Sequence, residues 1–321
     1  MRTKKIFLIS FLISLPFWFG VNVFAKNLDN FLFLQQIAQN PEILSANIGQ
    51  QVLNEKVNTL KINRLQNELK NLDISAEAAI SVFVNPVKGF EDTKNIVFKK
   101  NIEAELPIAS ITKLMTALVV LENYDLSKEI RISQQAINQP EDFGKLQVSQ
   151  SFTVGQMLYP LLIESSNDAA FALANDYNGI SEEEFVSLMN LKAQAIGLEN
   201  TYFINPTGLD VVDGSNYSSA KDLVVLTTYL LKEYPLVWEI LGLKEFELRS
   251  LDNTYFCQLS NTNELLGKIP GMIGGKTGET RLAGECLVLV LKTSEYNYLI
   301  SVILGSSNRF REMIRLTEDS I

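Results

Sequence analysis

The chain has 321 residues, 46% of them apolar, which is enough for one large core or two modest ones. A formal charge of −9, with no Lys/Arg cluster beyond the extreme N-terminus, argues against a nucleic-acid surface. There is no histidine, which removes Ser-His-Asp and Cys-His catalysis, His-ligated zinc and haem, and the two cysteines can build neither a Cys₄ site nor a Cys-x-x-Cys motif.

At the N-terminus, Arg2, Lys4 and Lys5 precede an uncharged stretch, Ile6 to Ala25, interrupted by Pro16 and Gly20. Val23-Phe-Ala25 supplies small residues where a cleavage site needs them, so residues 1–25 read as a secretory signal peptide or, uncleaved, as a membrane anchor. Either reading exports the remainder to an extracytoplasmic compartment. Residues 26–73 carry Leu53, Val57, Leu60, Leu65, Leu69 and Leu72 at near-helical spacing. They predict a helical spacer, with a packing helix of the main domain as the alternative.

The main domain is expected over residues 74–321. Ala78–Val84 and Ile96–Phe98, separated by Asn85-Pro86 and Lys88-Gly89, predict a hairpin. Leu106–Glu122 predicts a helix opened by Pro107, with Leu114, Ala117, Leu118 and Leu121 on one face. Further helices are predicted over Phe152–Ile163, Ala169–Tyr177, Glu182–Ala195 and Ala220–Lys232. Cys286–Leu291 and Tyr298–Leu304 are continuous apolar runs joined by Thr293–Asn297, which predicts two buried antiparallel strands. In that run Cys286 reads as a buried small hydrophobe. Arg309–Ile321 predicts a closing helix. Strands at both ends with helices between them predict an α+β domain whose sheet unites the chain ends.

Ser110-Ile-Thr-Lys113 has the form Ser-x-x-Lys, but such a match arises about once by chance in a chain this long. Indeed Ser218-Ser-Ala-Lys221 is a second one. At i and i+3 of a helix an amine reaches a hydroxyl, and a serine at a helix N-terminus also offers its N–H to a developing oxyanion. The amine works as a base only if burial or a neighbouring cation disfavours its charge. A second cation, a proton-relaying hydroxyl and a fixed carboxamide are therefore useful companions. Ser165-Ser-Asn167 offers the hydroxyl and the carboxamide; Lys276-Thr277-Gly278 offers the cation, a hydroxyl and a residue without a side chain. Only Ser110 is followed by Ser-x-Asn and then Lys-Thr-Gly. The decoy Ser218 has no Ser-x-Asn before Lys276.

In this order the three motifs resemble those of the penicillin-recognising serine enzymes. The closest likeness is to the D-alanyl-D-alanine carboxypeptidases among the low-molecular-mass penicillin-binding proteins. It extends through Glu164-Ser-Ser-Asn-Asp-Ala-Ala170, Asn205-Pro-Thr-Gly-Leu-Asp210 and Ala283-Gly-Glu-Cys286, and covers about three-quarters of the chain. The resemblance implies a β-lactamase/transpeptidase-like fold, with an antiparallel sheet flanked by helices and a mostly helical subdomain. It implies Ser110 as nucleophile, Lys113 as its base, Ser165 as proton relay, and Asn167 as the group that fixes Lys113 and the substrate amide. Lys276 and Thr277 receive the terminal carboxylate, Gly278 lets substrate lie close, and the N–H groups of Ser110 and Glu279 form the oxyanion hole. Arg309 resembles an arginine beside the carboxylate site, with Arg311 and a plain surface role as alternatives.

The same resemblance implies no metal or cofactor. The implied partners are stem peptides of peptidoglycan ending in D-Ala-D-Ala, and β-lactams as inhibitors. Two departures stand out: Glu279 takes a place held by histidine in some carboxypeptidases, and Ser166 replaces a common glycine. The chain ends at Ile321, before a further β-rich domain would fit, so any membrane attachment is expected through the N-terminus. Rival readings are a DD-endopeptidase, a β-lactamase and a non-catalytic peptidoglycan-binding protein. A P-loop enzyme is disfavoured, because Pro270 stands where that motif needs its first glycine.

Overall fold

The chain divides into two units, Met1–Lys61 and Ile62–Ile321. The structure, a computed structural model, describes residues 59–87, 95–141, 145–177, 179–212, 214–294 and 297–318. The expected signal or anchor segment and most of the expected spacer lie outside the described residues.

In the second unit, residues 62–69 form a helix, α1. Ala78–Val84 (β1) and Ile96–Lys100 (β2) pair as an antiparallel hairpin. Leu106–Pro107 (β3) precedes a 3₁₀ turn, Ala109–Thr112, and helix α2, Lys113–Asn123. Glu129–Arg131 (β4) pairs with Ser151–Thr153 (β5), and three helices follow: α3, Val154–Ile163; α4, Asn167–Asn175; and α5, Glu182–Ala195. Tyr217–Ser218 (β6) pairs back onto β3, ahead of α6, Ala220–Glu233, and α7, Leu236–Leu241. A hairpin, Glu245–Arg249 (β7) and Phe256–Ser260 (β8), leads to three long strands: β9, Met272–Thr280; β10, Gly284–Ser294; and β11, Asn297–Ser306. Helix α8, Arg309–Thr317, closes the unit.

The main sheet runs β2-β1-β11-β10-β9, antiparallel throughout, so early and late segments of the chain meet in adjacent strands. Both its faces are covered, which is why β10 and β11 read as unbroken apolar runs rather than alternating ones. Ile80, Val82, Val288, Val290, Ile300 and Val302 face the larger core with the helical layer. Leu287, Leu289, Leu291, Leu299 and Ile303 face a second cluster with Ile62, Leu65 and Leu69 of α1 and Met313 and Leu316 of α8. The C-terminal part of the segment set apart as a spacer therefore packs on the sheet. Two serines in this core, Ser81 and Ser301, are register partners and satisfy each other at 2.8 Å.

Several helix starts differ from expectation, each for a local reason. The helix expected from Leu106 begins with a strand pair, because Leu106 and Pro107 align with Ser218 and Tyr217. Regular α-helix starts only at Lys113. The helix expected from Phe152 starts at Val154, where Thr153 caps it: its hydroxyl accepts from the Gln156 amide and the Gln156 side chain returns to the Thr153 amide. The one expected from Ala169 starts at Asn167, capped by the Ser166 hydroxyl on Ala169 N. The β7–β8 hairpin was not anticipated.

Candidate active site

Ser110 lies in the 3₁₀ turn and Lys113 follows it as the first residue of α2. In 3₁₀ geometry residues i and i+3 eclipse, which stacks the amine over the hydroxyl more directly than an α-helix does. Lys113 is fully buried, and its Nζ donates to Ser110 Oγ (2.8 Å), Asn167 Oδ1 (2.7 Å) and the Thr207 carbonyl (2.7 Å). Two of these partners can only accept, whereas the serine hydroxyl can also donate. The serine hydroxyl is thus the one partner whose proton the amine can take.

The second motif sits where α3 ends and α4 begins. The Ser166 amide donates to the carbonyl of Pro160 at 3.0 Å, wrapping the chain tightly around the end of α3. That wrap holds Ser165 at φ 62°, a region a non-glycine residue seldom adopts. Asn167, the first residue of α4, holds Lys113 with its oxygen and the Pro140 carbonyl with its nitrogen, at 3.0 Å. Glu164 is nearly buried and accepts from the Ser260 amide at 2.9 Å and from Lys145 Nζ. It ties this loop to the end of β8.

The third motif lies in β9, at the free edge of the sheet. Lys276 is fully buried and donates to Ser165 Oγ at 2.7 Å and to the Thr277 carbonyl at 2.8 Å. Burial, then the neighbouring Lys113 and Arg309 charges, hold its amine well below the ordinary lysine value. Thr277 Oγ1 is 2.6 Å from Thr262 Oγ1, which fixes its rotamer. A Cβ on Gly278 would come within 3.0 Å of Ile108 O and Ser110 N. The glycine is thus needed first of all by the turn that carries Ser110, not only by a ligand.

Arg309 opens α8 and is largely buried, with 14% of its side chain exposed. Its Nη1 donates to Gly278 O at 3.0 Å and to Glu279 Oε2 at 3.1 Å. This arginine therefore abuts the third motif. The decoy pair diverges instead. Ser218 Oγ bonds Thr201 Oγ1 at 2.7 Å, and Lys221 pairs with Glu103 at 3.1 Å. Cys286 is buried, its thiol pushed up to about 12 by desolvation, as suits an inert filler.

All nine singled-out residues thus gather at one place, with four supports that sequence reasoning passed over. Asn205 Oδ1 accepts from Thr207 N, Thr207 Oγ1 and Gly208 N, a turn that aims the Thr207 carbonyl at Lys113. Asn216 crosslinks this loop to Thr112 Oγ1 at 2.9 Å. Gly208, at φ +87°, presses against the Ala109 carbonyl. The signal was present in Asn205-Pro-Thr-Gly-Leu-Asp210, but a backbone carbonyl leaves no mark on a sequence.

Residues 65–308 match the D-alanyl-D-alanine carboxypeptidase family. The chain belongs to that family. D-alanyl-D-alanine carboxypeptidase DacF of Bacillus subtilis is 36% identical over 247 residues, 75% of this chain and 61% of that protein. A D-alanyl-D-alanine endopeptidase of Pseudomonas aeruginosa is 33% identical over 231 residues, 70% of this chain and 73% of its own. The crystal structure of penicillin-binding protein D2 from Listeria monocytogenes, in its cefotaxime-bound form, superposes with a TM-score of 0.66 at 28% identity. That match covers 78% of this chain and 98% of the other. The expected α+β, β-lactamase/transpeptidase-like fold is the family's own. Among the described residues no helix is long and apolar enough to cross a membrane.

Proposed function

We propose that the protein is a serine D-alanyl-D-alanine carboxypeptidase that removes the terminal D-alanine from peptidoglycan stem peptides. The reading rests above all on Lys113, whose buried amine has two obligate acceptors and a serine hydroxyl in its reach.

In this account Lys113 Nζ takes the Ser110 hydroxyl proton as Oγ attacks the carbonyl carbon of the penultimate D-alanine. The resulting oxyanion is met by the backbone N–H groups of Ser110 and Glu279, which the close approach at Gly278 keeps together. Collapse of the tetrahedral species needs a proton on the leaving amine. Ser165 relays to it the proton that Lys113 took, which leaves Lys113 uncharged again; Lys276, 2.7 Å from Ser165 Oγ, holds that hydroxyl in place. D-Alanine departs and leaves the peptide esterified to Ser110. Water then repeats the sequence, giving its proton to Lys113 as it attacks the ester, and Lys113 passes that proton to Ser110 Oγ as the acid leaves. Lys276, Thr277 and Arg309 supply a cationic, hydrogen-bonding end for the terminal carboxylate. The free edge of β9 offers backbone groups for the extended peptide to pair with. A β-lactam carries both the strained amide and the carboxylate, so it acylates the same serine.

Exported action on the cell envelope follows from such a substrate, and the apolar stretch within residues 1–25 would serve as the export signal or anchor. A DD-endopeptidase is the second reading, favoured by the 33% identity to an enzyme so named. Incubation with a stem pentapeptide and with a crosslinked muropeptide dimer separates the two. Free D-alanine from the pentapeptide at the higher kcat/KM supports the carboxypeptidase; cleavage of the dimer alone overturns it.

A further inference from the structure

Glu279 is the residue of this site with no evident task for its side chain. Only its backbone N–H enters the scheme above. Yet the carboxylate is not idle: Oε2 sits 3.1 Å from Arg309 Nη1, and the glutamate side chain is 61% exposed while the arginine is 14% exposed. Glu285 already holds the arginine from the other side, accepting from its amide at 2.8 Å and lying 4.0 Å from Nε. Among the described residues, every hydrogen bond of the guanidinium runs through Nη1, to Gly278 O and to Glu279. The cation that would attract a substrate carboxylate is thus met by two resident carboxylates, one of them anchored and one at the solvent-exposed mouth.

On the functional reading above, we propose that Glu279 is a specificity-determining residue that weakens the preference of the site for a free terminal carboxylate. It occupies Arg309 and offsets its charge in the resting enzyme, so the incoming anion meets a guanidinium that is already paired. Discrimination between a free-acid and an amidated terminus is then set by how far Glu279 keeps Arg309 from the incoming carboxylate. A partly exposed charge pair of this kind is worth roughly two- to fivefold in an equilibrium, and more when it also competes for a hydrogen-bond donor.

The test compares the wild-type protein with Glu279→Gln, Glu279→Lys and Glu279→Gln/Arg309→Gln on two peptides ending in D-Ala-D-Ala, one a free acid and one a C-terminal amide. Release of D-alanine or D-alaninamide gives kcat and KM separately. Glu279→Gln is expected to raise kcat/KM on the free acid, through KM, by about two- to fivefold relative to any change on the amide. Glu279→Lys should raise it further, both gains should shrink at high salt, and the double variant should lose them. Equal effects on acid and amide, or a gain that survives loss of Arg309, overturn the proposal while leaving the carboxypeptidase reading intact. A wild type that releases nothing from either peptide overturns both.

Discussion

Gly208→Ala tests whether the loop Asn205–Asp210 positions the nucleophile. Gly208 has φ +87°, and a Cβ there would lie 2.0 Å from Ala109 O and 2.9 Å from Ser110 N. An ordinary contact needs about 3.5 Å, so the turn bearing Ser110 must retreat by roughly 1–1.5 Å or the loop bearing Thr207 must do so. A left-handed alanine costs about 1–2 kcal/mol and the overpacking about 1–3 kcal/mol more. In a unit of this size the sum lowers Tm by roughly 5–15 °C. Moving Ser110 by about 1 Å should slow acylation by a fluorescent penicillin around 100-fold. Gly197→Ala is the control: it has φ +77° with no atom within 4 Å of the added Cβ, so it carries the backbone cost alone. It should lose stability modestly and acylate at the wild-type rate. Wild-type acylation by Gly208→Ala, or equal loss in both variants, would refute the argument.

Lys276→Ala should lower kcat/KM on a free-carboxylate peptide about 10- to 100-fold more than on its amide; equal losses would remove the lysine from the carboxylate subsite. Because the folded state holds Lys276 below its ordinary value of 10.5, the folded chain binds fewer protons than the unfolded one between those two values. Wild-type stability relative to Lys276→Met should therefore rise as pH climbs towards about 10.5, read from denaturant melts, and a flat difference would contradict the buried charge. One turn beyond Arg309 on α8, the Glu312 carboxylate takes bonds from Ser75 N, Ala76 N (3.2 Å) and Ser306 Oγ (2.6 Å). Burial alone would raise its pKa, but these donors hold it below 4.5. Glu312→Gln should cost about 1–3 kcal/mol at neutral pH, and the gap should close as pH falls through the depressed carboxylate value. A gap that persists in acid would mean packing, not charge, is what the glutamine loses.

The residues of the site were legible because acyl transfer without histidine needs a particular set of side chains, and Ser110, Ser165 and Lys276 occur in the one order that supplies it. The sheet was legible because β10 and β11 are apolar on both faces. What the sequence hid was mostly backbone. Ala109 at φ 47° and Ser165 at φ 62° adopt conformations that neither residue type announces. The turn at Ala109 also replaced the first part of the helix that Pro107 suggested. The reason for Gly278 lies in a turn about 170 residues earlier, which only the folded chain brings near. Hairpin β7–β8 did alternate, with Phe246 and Leu248 between charged residues, but its strands are short and largely exposed, so the period was weak.

The most direct test of the central claim is the intact mass of the protein after incubation with benzylpenicillin, beside Ser110→Ala. The account predicts a single covalent adduct carrying the mass of the whole opened β-lactam, on the wild type only. An adduct on Ser110→Ala, or none on the wild type with the penicillin intact, would contradict Ser110 as the nucleophile. Rapid loss of penicillin without an adduct would make the enzyme a β-lactamase instead.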